Sequence, residues 1–344
     1  MNILVIGGAG FIGCNVAQFY ASRGEDVVLL DNLSRPGSSL NVAYLTEKYK
    51  NVKFIYADIR TLYDLNPVFR NQSFDVVFHL TAQVAVTKSV ENPREDFDIN
   101  ALGTFNVLES MRAVNSNALL IYASTNKVYG AMEDVVIVEK NARYQYRDFP
   151  DGISETRPLD FHSPYGCSKG AADQYVRDYS RIYGLNTVVF RQSCIYGYRQ
   201  FGIEDQGWVA WFTIAATFGG KITIYGDGKQ VRDVLFIDDL VQAYDLAVNN
   251  KDIVNGQVYN IGGGYFQMSL LELLNYLRKY VGSEIFIQYD DWRPGDQRVY
   301  VSDISKAKND LNWAPTISAK EGVESLYRWV RENKELFQAV RIID

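Results

Sequence analysis

The fold is decided by the stretch Ile3-Leu4-Val5-Ile6-Gly7-Gly8-Ala9-Gly10-Phe11-Ile12-Gly13. Four apolar residues run directly into glycines spaced Gly7-x-x-Gly10-x-x-Gly13, and a helical pattern follows as far as Gly24. This arrangement is required where a strand leads through a tight turn into a helix whose first N–H groups face an anion. The stretch therefore predicts the opening unit of a dinucleotide-binding sheet, with these residues at the pyrophosphate: Gly7, Gly10, Phe11 and Ile12.

Short apolar runs and amphipathic stretches alternate through the first half of the chain, as in a parallel sheet covered on both faces. The predicted strands are Ile3–Ile6, Val27–Leu30, Val52–Tyr56, Val76–Leu80, Leu119–Ala123 and Thr187–Phe190. Helices are predicted over about Phe11–Ser22, Arg94–Val114 and Pro164–Tyr183. This order predicts an α/β fold with a doubly wound, Rossmann-like parallel sheet.

Beyond Arg191 the alternation loosens, and residues 192–231 are rich in Gly, Tyr and Trp. A strand, a helix and another strand are predicted over Val234–Ile237, Asp238–Val248 and Gln257–Ile261, and two further helices near 269–280 and 319–335 flank a strand at 285–288. We predict a Rossmann domain from 1–190 and 232–262. A smaller, discontinuous α/β substrate domain is predicted from 191–231 and 263–344.

The composition excludes several classes of partner. The chain has 344 residues, 47% of them hydrophobic and 22% charged, with a net charge of −6, which disfavours nucleic acid and anionic membrane surfaces. Its three cysteines are far apart and only two histidines are present, so neither a disulfide framework nor a metal site is predicted. No apolar run approaches ~20 residues. We expect a cytoplasmic protein without a metal.

Asp31 ends the second predicted strand, about 20 residues after the glycine loop, where a carboxylate accepts hydrogen bonds from an adenosine ribose. A carboxylate repels a 2′-phosphate, so NAD is favoured over NADP. Arg35 works against this preference because it could pair with a phosphate. Asn32 and Ser34 are assigned to the same end of the cofactor. Asp58 and Ile59 follow the third strand and are placed to contact adenine, although an ordinary turn explains Asp58 equally well.

Tyr165 and Lys169 are four residues apart in a predicted helix, so their side chains share one face. A neighbouring ammonium favours the phenolate, lowers the tyrosine pKa and allows it to act as a general base toward a hydroxyl. In a chain with 24 tyrosines, a packing Tyr beside a surface Lys also fits the pair taken alone. The glycine-rich opening favours an oxidoreductase-type site.

These residues together resemble the extended short-chain dehydrogenase/reductase family, over essentially the whole chain. The resemblance rests on the glycine loop, the Tyr165/Lys169 pair and four further motifs: His79-Leu80-Thr81-Ala82-Gln83, Asn100-Ala101-Leu102-Gly103-Thr104, Ser124-Thr125-Asn126-Lys127-Val128-Tyr129-Gly130 and Arg293-Pro294-Gly295-Asp296. It implies that Thr125 bridges the substrate hydroxyl and Tyr165, and that Lys169 also binds the nicotinamide ribose. The other cofactor positions it implies are Leu80, Ala82, Gln83, Asn100 and Ser124.

The segment after Ser124 distinguishes reactions within the family. In sugar dehydratases this segment is similar to Ser-Thr-Asp-Glu-Val-Tyr-Gly, and the acidic pair is used to eliminate water. This chain has Asn126 and Lys127 in place of the acidic pair. The resemblance therefore implies oxidation and re-reduction at one carbon, as in an epimerase or a reductase.

Longer stretches, including 159–175, 199–201, 205–209 and 226–235, resemble members that invert C2 of a CDP-linked hexose in O-antigen synthesis. An epimerase acting at C4, or on another sugar such as CDP-glucose, would use the same catalytic residues. A dehydrogenase that releases NADH and a non-catalytic NAD-binding regulator are the other readings. The resemblance to the family implies a homodimer or a tetramer.

Cys194 replaces an Asn that many family members use to hold the sugar nucleotide, and a thiol is a poor substitute for an amide. Substrate contacts are therefore assigned to Asn126, Gln206 and Trp208, with Arg232 and Arg293 on the diphosphate and Asp296 on the nucleotide ribose. Arg232 could instead form an interdomain salt bridge, and Trp208 could belong to the core. His162 is interpreted as a turn or interface residue.

Overall fold

The structure, a computed structural model, describes residues 1–293 and 296–340, so Pro294 and Gly295 of the predicted loop motif lie outside the described residues. It contains two compact units. The first comprises Met1–Gly130, Phe161–Arg191 and Val241–Tyr259; the second comprises Ala131–Asp160, Gln192–Leu240 and the chain from Asn260 onward. These units differ from the predicted domains chiefly at 131–160, and the functions assigned to the domains stay predictions.

The strands are β1 (Asn2–Ile6), β2 (Asp26–Asp31), β3 (Val52–Tyr56), β4 (Val76–His79), β5 (Leu119–Thr125), β6 (Ile137–Lys140), β7 (Arg143–Tyr146), β8 (Thr187–Gln192), β9 (Cys194–Tyr196), β10 (Ile222–Tyr225), β11 (Val231–Phe236), β12 (Gln257–Ile261), β13 (Gln267–Ser269), β14 (Ile287–Asp290) and β15 (Val299–Tyr300). The helices are α1 (Phe11–Ser22), α2 (Ser38–Lys48), α3 (Leu62–Asn71), α4 (Val86–Glu91), α5 (Pro93–Phe97), α6 (Gly103–Ala113), α7 (Ser163–Tyr183), α8 (Trp208–Phe218), α9 (Ile237–Asn249), α10 (Lys251–Val254), α11 (Leu270–Val281), α12 (Ser305–Leu311), α13 (Ala319–Glu332) and α14 (Lys334–Ala339). A π-helical turn (Asp98–Leu102) and a 3-10 turn (Asn126–Tyr129) complete the described elements.

A seven-stranded sheet in the order β12-β8-β5-β4-β1-β2-β3 forms the centre of the fold. Neighbouring strands from β3 to β5 pair in parallel. Most side chains of β1 and all of β4 are buried, as expected for continuous apolar strands covered on both faces. The predicted α/β, doubly wound Rossmann-like sheet is confirmed, and its strand order reverses next to β1, where such sheets bind their ligands.

The predicted helices of the first unit are confirmed with one difference. The pattern over 94–114 is helical, but α5 and α6 are separated by the π-helical turn that contains Asn100. Single-turn π segments occur frequently at functional sites, because the extra residue re-aims a side chain. Helices are expected between all the predicted strands, but the sequence interpretation gives no bounds for α2 or α3.

The second unit is built around β11, which pairs with β9 and β15 in parallel and with β13 in antiparallel fashion. A parallel pair, β10 with β14, and the hairpin β6–β7 form separate sheets. Helices α8, α11 and α13 pack against one another. An aromatic cluster anchors α14 to this group through four rings: Phe201, Phe218, Trp329 and Phe337.

Two kinds of feature are absent from the part of the chain that the structure describes. None of its helices combines the length and the apolar character needed to cross a membrane. No three His, Cys, Asp or Glu side chains are grouped closely enough to hold a metal ion there.

Candidate active site

The glycine loop joins β1 to α1 and brings backbone segments unusually close together. Gly7 adopts a φ of +83°, which favours glycine. A Cβ atom at Gly13 would lie 2.1 Å from the Gly7 carbonyl oxygen, so no larger residue fits there. Phe11 and Ile12 begin α1, and the first N–H groups of a helix have no partners within it. The loop therefore presents N–H groups suited to a pyrophosphate.

Asp31 ends β2 beside this loop. Its carboxylate accepts hydrogen bonds from the backbone N–H of Leu33 at 2.8 Å and of Ala9 at 3.2 Å. Burial raises the pKa of Asp31, and these two donors oppose that shift. The carboxylate thus fixes the glycine loop relative to β2, and it is only half-buried, which leaves it accessible to a ribose hydroxyl.

Arg35 and Ser34 follow in the next loop. Ser34 is exposed, and its N–H donates to the Asn32 side chain at 3.1 Å. Arg35 is half-buried, burial lowers its pKa, and no described carboxylate forms an ion pair with it. A phosphate-binding role for Arg35 is therefore compatible with its surroundings, as the sequence interpretation allowed.

Asp58 is engaged by its neighbours in the turn after β3. It forms an ion pair with Arg60 at 2.6 Å and accepts from Asn32 Nδ2 at 2.9 Å. Burial acts to raise the pKa of Asp58, but these hydrogen bonds outweigh it and bring the pKa to about 2. Ile59 belongs to the hydrophobic core, where it packs against Gly103, and its carbonyl accepts from Asn106. These contacts are compatible with the turn interpretation of Asp58, and the adenine assignment of both residues stays a prediction.

Tyr165 lies in the first turn of α7 and forms a hydrogen bond with Thr125 at the end of β5. Burial raises the pKa of Tyr165 to about 12, Thr125 opposes this shift and Asp96 adds to it. The prediction that Lys169 lowers the pKa of Tyr165 toward neutrality is therefore wrong for the protein without ligands. The physical reason is burial, which penalises the phenolate and which sequence spacing does not reveal.

Lys169 lies one turn further along α7 and is 2% exposed. Its ammonium donates to the carbonyl of Ala123 at 2.6 Å and lies 4.3 Å from the ring centre of Tyr122. Burial lowers the pKa of Lys169 to about 7, against the opposing charges of Asp173 and Asp96. The ammonium is thus held at the end of β5, the strand that carries Thr125.

The loop after β4 packs against the glycine loop. Leu80 N–H donates to the Ile6 carbonyl at 2.8 Å, and Ala82 is half-buried. Gln83 and Asn100 form a reciprocal pair, in which the Gln83 N–H donates to Asn100 Oδ1 at 2.9 Å and Asn100 Nδ2 donates to the Gln83 carbonyl at 3.0 Å. These bonds fix the loop to the π-helical turn.

Asn126 occupies the position where the dehydratase motif has an acidic residue. Its side chain is 9% exposed, and its Oδ1 accepts from the Thr125 hydroxyl at 3.3 Å. Thr125 Oγ1 in turn accepts from the Lys127 N–H at 3.2 Å, which caps the 3-10 turn. The site therefore presents a neutral amide at this position, next to the hydroxyl that contacts Tyr165.

Two buried networks were missed by the sequence interpretation. Ser124 donates to Asp173 at 2.7 Å, and Asp173 forms a bidentate ion pair with the buried Arg191, with both distances 3.0 Å. The second network centres on Asp96 and Ser168. The only sequence signal for them is their proximity to Asn100 and Lys169.

In the second unit, Gln206 and Trp208 flank Gly207 at the start of α8. Gln206 Oε1 and Trp208 Nε1 are both buried and have no hydrogen-bond partner among the described residues. The Trp208 ring packs edge-on against Phe212 at 6.1 Å. Trp208 is therefore packed on one side and carries an unused donor.

Arg232 lies on β11 and donates to the carbonyl of Val231 at 2.9 Å. No ion pair involves Arg232 within 1–293 and 296–340, so the salt-bridge alternative finds no support there. Arg293 stacks on Tyr225 at 3.7 Å and forms an ion pair with Asp205 at 3.0 Å. Asp296 is exposed, and its N–H donates to the Arg293 carbonyl at 3.2 Å. His162 is exposed and precedes α7 as its N-cap residue, which agrees with its interpretation as a turn residue.

Comparison with known proteins agrees with this arrangement. The chain is 47% identical to the CDP-paratose 2-epimerase of Salmonella typhi, covering 96% of this chain and 99% of that protein. It is 35% identical to a putative UDP-glucose 4-epimerase of Methanocaldococcus jannaschii, covering 96% and 99% of the two chains. The crystal structure of Thermus thermophilus UDP-glucose 4-epimerase in complex with NAD is similar with a TM-score of 0.81 and 32% identity, covering 97% and 100%.

A family model described as GDP-mannose 4,6 dehydratase matches residues 4–326, nearly the whole chain. The similar crystal structure shares the fold of this chain over nearly its whole length. The chain belongs to this family of extended short-chain dehydrogenases/reductases, a family of nucleotide-sugar epimerases and dehydratases.

Proposed function

We propose that the protein is an NAD-dependent isomerase that inverts C2 of a CDP-hexose, as in the conversion of CDP-paratose to CDP-tyvelose. The observation that carries this proposal is the buried cluster of Thr125, Tyr165 and Lys169 at the end of β5 and the start of α7, with an amide at Asn126 in place of an acid. The 47% identity to a CDP-paratose 2-epimerase supports the choice of substrate.

The first unit fits NAD. The glycine loop and the start of α1 suit the pyrophosphate, and the Asp31 carboxylate suits the adenosine ribose while disfavouring a 2′-phosphate. We assign the nicotinamide side to the ends of β4 and β5 and to α7, with these residues: Leu80, Ala82, Gln83, Asn100, Ser124, Tyr165 and Lys169. A relative of similar structure binds NAD.

The C2 hydrogen of a pyranose is not acidified by a neighbouring carbonyl, so direct removal as a proton is disfavoured. NAD, when bound, supplies an acceptor that takes the C2 hydride and returns it, so no net oxidation occurs. Tyr165 removes the proton from the C2 hydroxyl, and the Thr125 hydroxyl orients that group. The sugar turns as a 2-keto intermediate, and Tyr165 then gives the proton back as the other face is reduced.

Tyr165 can act as a base only when positive charge lies close to the phenol, because its pKa in the ligand-free protein is about 12. Lys169 carries that charge below its own pKa of about 7. Both side chains are buried, so water does not screen their interaction, and small displacements of the ammonium change the basicity of the phenol strongly.

The amide at Asn126 argues against dehydration. Elimination of water requires an acid and a base beside the sugar, in addition to the tyrosine. Asn126 cannot donate or accept a proton in this way, and the next residue is Lys127. The same residues therefore support chemistry at a single carbon.

We assign the substrate to groups of the second unit. Arg232 and Arg293 would bind the diphosphate, with Asp296 on the nucleotide ribose and with Gln206 and Trp208 on the rest of the ligand. Asn126, which belongs to the first unit, is assigned to the substrate as well. Arginine is suited to phosphate because its planar fork donates two parallel hydrogen bonds. Arg293 would have to exchange Asp205 for the diphosphate, whereas Arg232 has no ion pair to give up among the described residues.

We also propose a homodimer. Large apolar side chains are exposed on α4, α5 and α7: Val90, Phe97, Tyr175, Ile182 and Tyr183. A second copy of the chain would cover this helical face. The variant Ile182→Glu, measured by sedimentation equilibrium, is expected to be monomeric, and an unchanged dimer would place the interface elsewhere.

An epimerase acting at C4, or on another sugar such as CDP-glucose, is the second candidate. It is supported by the 35% identity to a putative UDP-glucose 4-epimerase. The catalytic cluster would be identical, since the carbon presented to Tyr165 depends only on how the sugar is held.

The test is incubation of the purified protein with NAD and, in parallel tubes, with CDP-paratose, CDP-glucose or UDP-glucose, followed by proton NMR. Inversion at C2 in the CDP-paratose tube is expected, and preference for another tube would move the assignment to the second candidate. A steady rise in the near-ultraviolet absorbance of reduced nicotinamide would indicate a dehydrogenase. Bound NAD without turnover in any tube would contradict the proposal.

A further inference from the structure

Asp96 is a buried carboxylate beneath the catalytic pair. It lies on the short helix α5 and is only 1% exposed. Its two oxygens accept hydrogen bonds from three side chains. Gln83 Nε2 and Asn100 Nδ2 donate to Oδ1 at 2.8 and 3.1 Å, and the Ser168 hydroxyl donates to Oδ2.

The three donors belong to three different elements. Gln83 lies in the loop after β4, Asn100 in the π-helical turn, and Ser168 on α7. Ser168 is the residue before Lys169, and its Oγ also lies 3.2 Å from the carbonyl oxygen of Tyr165. Asp96 therefore ties the backbone that carries both catalytic side chains to the nicotinamide-side loop.

The charge of Asp96 is not neutralised by an ion pair among the described residues. A buried carboxylate is costly unless it is hydrogen-bonded and compensated by positive charge. Lys169 is a cation that interacts with it. Burial lowers the pKa of Lys169 to about 7, and the charges of Asp173 and Asp96 act in the opposite direction. Asp96 also raises the pKa of Tyr165. The carboxylate therefore acts on the pKa of both Tyr165 and Lys169.

We propose that Asp96 is a positioning residue for the reaction: its carboxylate fastens α7, which carries Tyr165 and Lys169, to the loop after β4, and its negative charge favours the Lys169 ammonium over the neutral amine. The proposal deepens the proposed function, because it rests on the same site. It also explains why three donors from different elements converge on one buried acidic side chain.

Other titratable groups also lie near Tyr165 and Lys169, and they stay in place when Asp96 is replaced. Lys169 also faces Asp173, which stays ion-paired to Arg191. His79 is fully buried and neutral, since burial, with a smaller contribution from Lys169, lowers its pKa to about 3. Replacing Asp96 with Asn therefore removes one negative charge and leaves the other groups as they are.

The sign of the effect follows directly. Loss of a neighbouring negative charge makes the ammonium less favourable and the phenolate more favourable, so both pKa values fall. In Asp96→Asn the titration midpoint of Lys169 is expected to fall by roughly one pH unit, which is the low end of the range for a close charge. Both limbs of the activity profile would then move to lower pH together.

The first measurement titrates Lys169 itself by NMR of the protein labelled at the lysine ε-carbon, with the resonance assigned by its loss in Lys169→Met. Asp96→Asn is compared with the wild type and with Asp98→Asn, which removes a carboxylate that pairs with Arg94 at the surface. A lower midpoint in Asp96→Asn alone supports the proposal. An unchanged midpoint would show that Asp96 is neutral or only structural, and would overturn it.

This titration needs no substrate, so its result does not depend on the proposed function. If the midpoint shifts as expected but no sugar nucleotide is converted, only the proposed function fails. Should Asp96→Asn not fold, Asp96→Ser removes the same charge and leaves room for a water molecule, and the same criterion applies.

The second measurement is the pH profile of epimerisation. Ser168→Ala keeps the charge of Asp96 but removes its bond to α7, so kcat is expected to fall about 3- to 10-fold with both limbs in place. Asp96→Asn should move both limbs to lower pH. If Asp96→Asn lowered the maximal rate without moving either limb of the pH profile, the electrostatic part of the proposal would be contradicted.

Discussion

The two units of the protein hold their predicted functional residues in contrasting ways. In the first unit, Thr125, Tyr165 and Lys169 are already hydrogen-bonded, and buried networks around Asp96 and Asp173 support them. In the second unit, Gln206 Oε1 and Trp208 Nε1 are buried without described partners, and Arg232 has no ion pair among the described residues. Arg293 is an exception, because it is ion-paired with Asp205.

In the proposed function, the first unit supplies the catalytic groups and the second unit supplies most of the groups that bind the sugar nucleotide. Catalytic groups work best when their environment is organised before the substrate arrives. Binding groups gain affinity when the ligand completes hydrogen bonds that the protein leaves open, because an unsatisfied buried polar group costs about 1–3 kcal/mol. We therefore expect changes at Thr125, Tyr165 and Lys169 to lower kcat, and changes at Gln206, Trp208 and Arg232 to raise KM for the sugar nucleotide.

The largest effect is expected for Tyr165→Phe. Removing the phenol oxygen eliminates the general base, which typically contributes a factor of about 10²–10⁴. The epimerisation rate measured by NMR should fall by roughly 10³-fold, while NAD affinity measured by calorimetry is retained. Tyr63→Phe, at an exposed tyrosine of α3, is the matched control and should be fully active. Activity above a tenth of the wild type in Tyr165→Phe would place the base elsewhere.

The second unit should respond through KM. Arg232→Met removes a guanidinium assigned to the diphosphate, and hydrogen bonds to charged groups contribute about 1.5–3 kcal/mol, so KM should rise about 10- to 100-fold with kcat nearly unchanged. Arg147→Met, at an exposed arginine paired with Asp148, serves as the control. Steady-state kinetics decide the outcome. A loss confined to kcat would break the contrast between the two units.

Asp31→Asn tests the cofactor end of the first unit. The amide is a weaker acceptor for ribose hydroxyls and for the N–H groups of Ala9 and Leu33, so NAD should bind roughly tenfold more weakly. Discrimination against NADP should also weaken, because the repelling charge is gone. Calorimetry with both cofactors measures this, with Asp26→Asn at the opposite end of β2 as the control. A wild-type ratio of the two affinities would refute the assignment of Asp31.

The smallest effect is expected for Trp208→Phe, which keeps a ring and removes the Nε1 donor. One neutral hydrogen bond contributes about 0.5–1.5 kcal/mol, so KM should rise about threefold with an unchanged Tm. Trp313→Phe is the matched opposite, since Trp313 is 2% exposed and its Nε1 donates to the Asp239 carbonyl at 3.0 Å. It should lower Tm and leave KM unchanged. Identical behaviour of the two variants would make Trp208 a core residue.

Much of the fold could be predicted from the sequence because its signals are local. The strands of the central sheet are continuous apolar runs, and the bounds of β3, β12 and α1 were predicted to the residue. The glycine loop requires its spacing for steric reasons, because the close backbone contacts at Gly7 and Gly13 leave no room for a Cβ atom. The second unit was harder to predict, because its strands are short and pair with distant segments: the hairpin β6–β7 and helix α8 were not anticipated.

The site was predicted less completely, and the reason is burial. Tyr165 and Lys169 were identified by their spacing, but the direction of the tyrosine pKa depends on how deeply the phenol is enclosed. Asp96 carries no motif of its own, and only the fold brings Gln83, Asn100 and Ser168 around it. Residues that are distant in the chain and meet only in the fold leave no repeating pattern in a single sequence.

Hydride removal and return at C2 can be tested with CDP-paratose that carries deuterium at C2, incubated with the protein and NAD in ordinary water. Removal and return of the same hydride predict that the epimerised product keeps its deuterium at C2 in full, as read by NMR and mass spectrometry. Exchange of the label for solvent hydrogen would mean that C2 is deprotonated directly, and would contradict the account of Tyr165 acting on the hydroxyl.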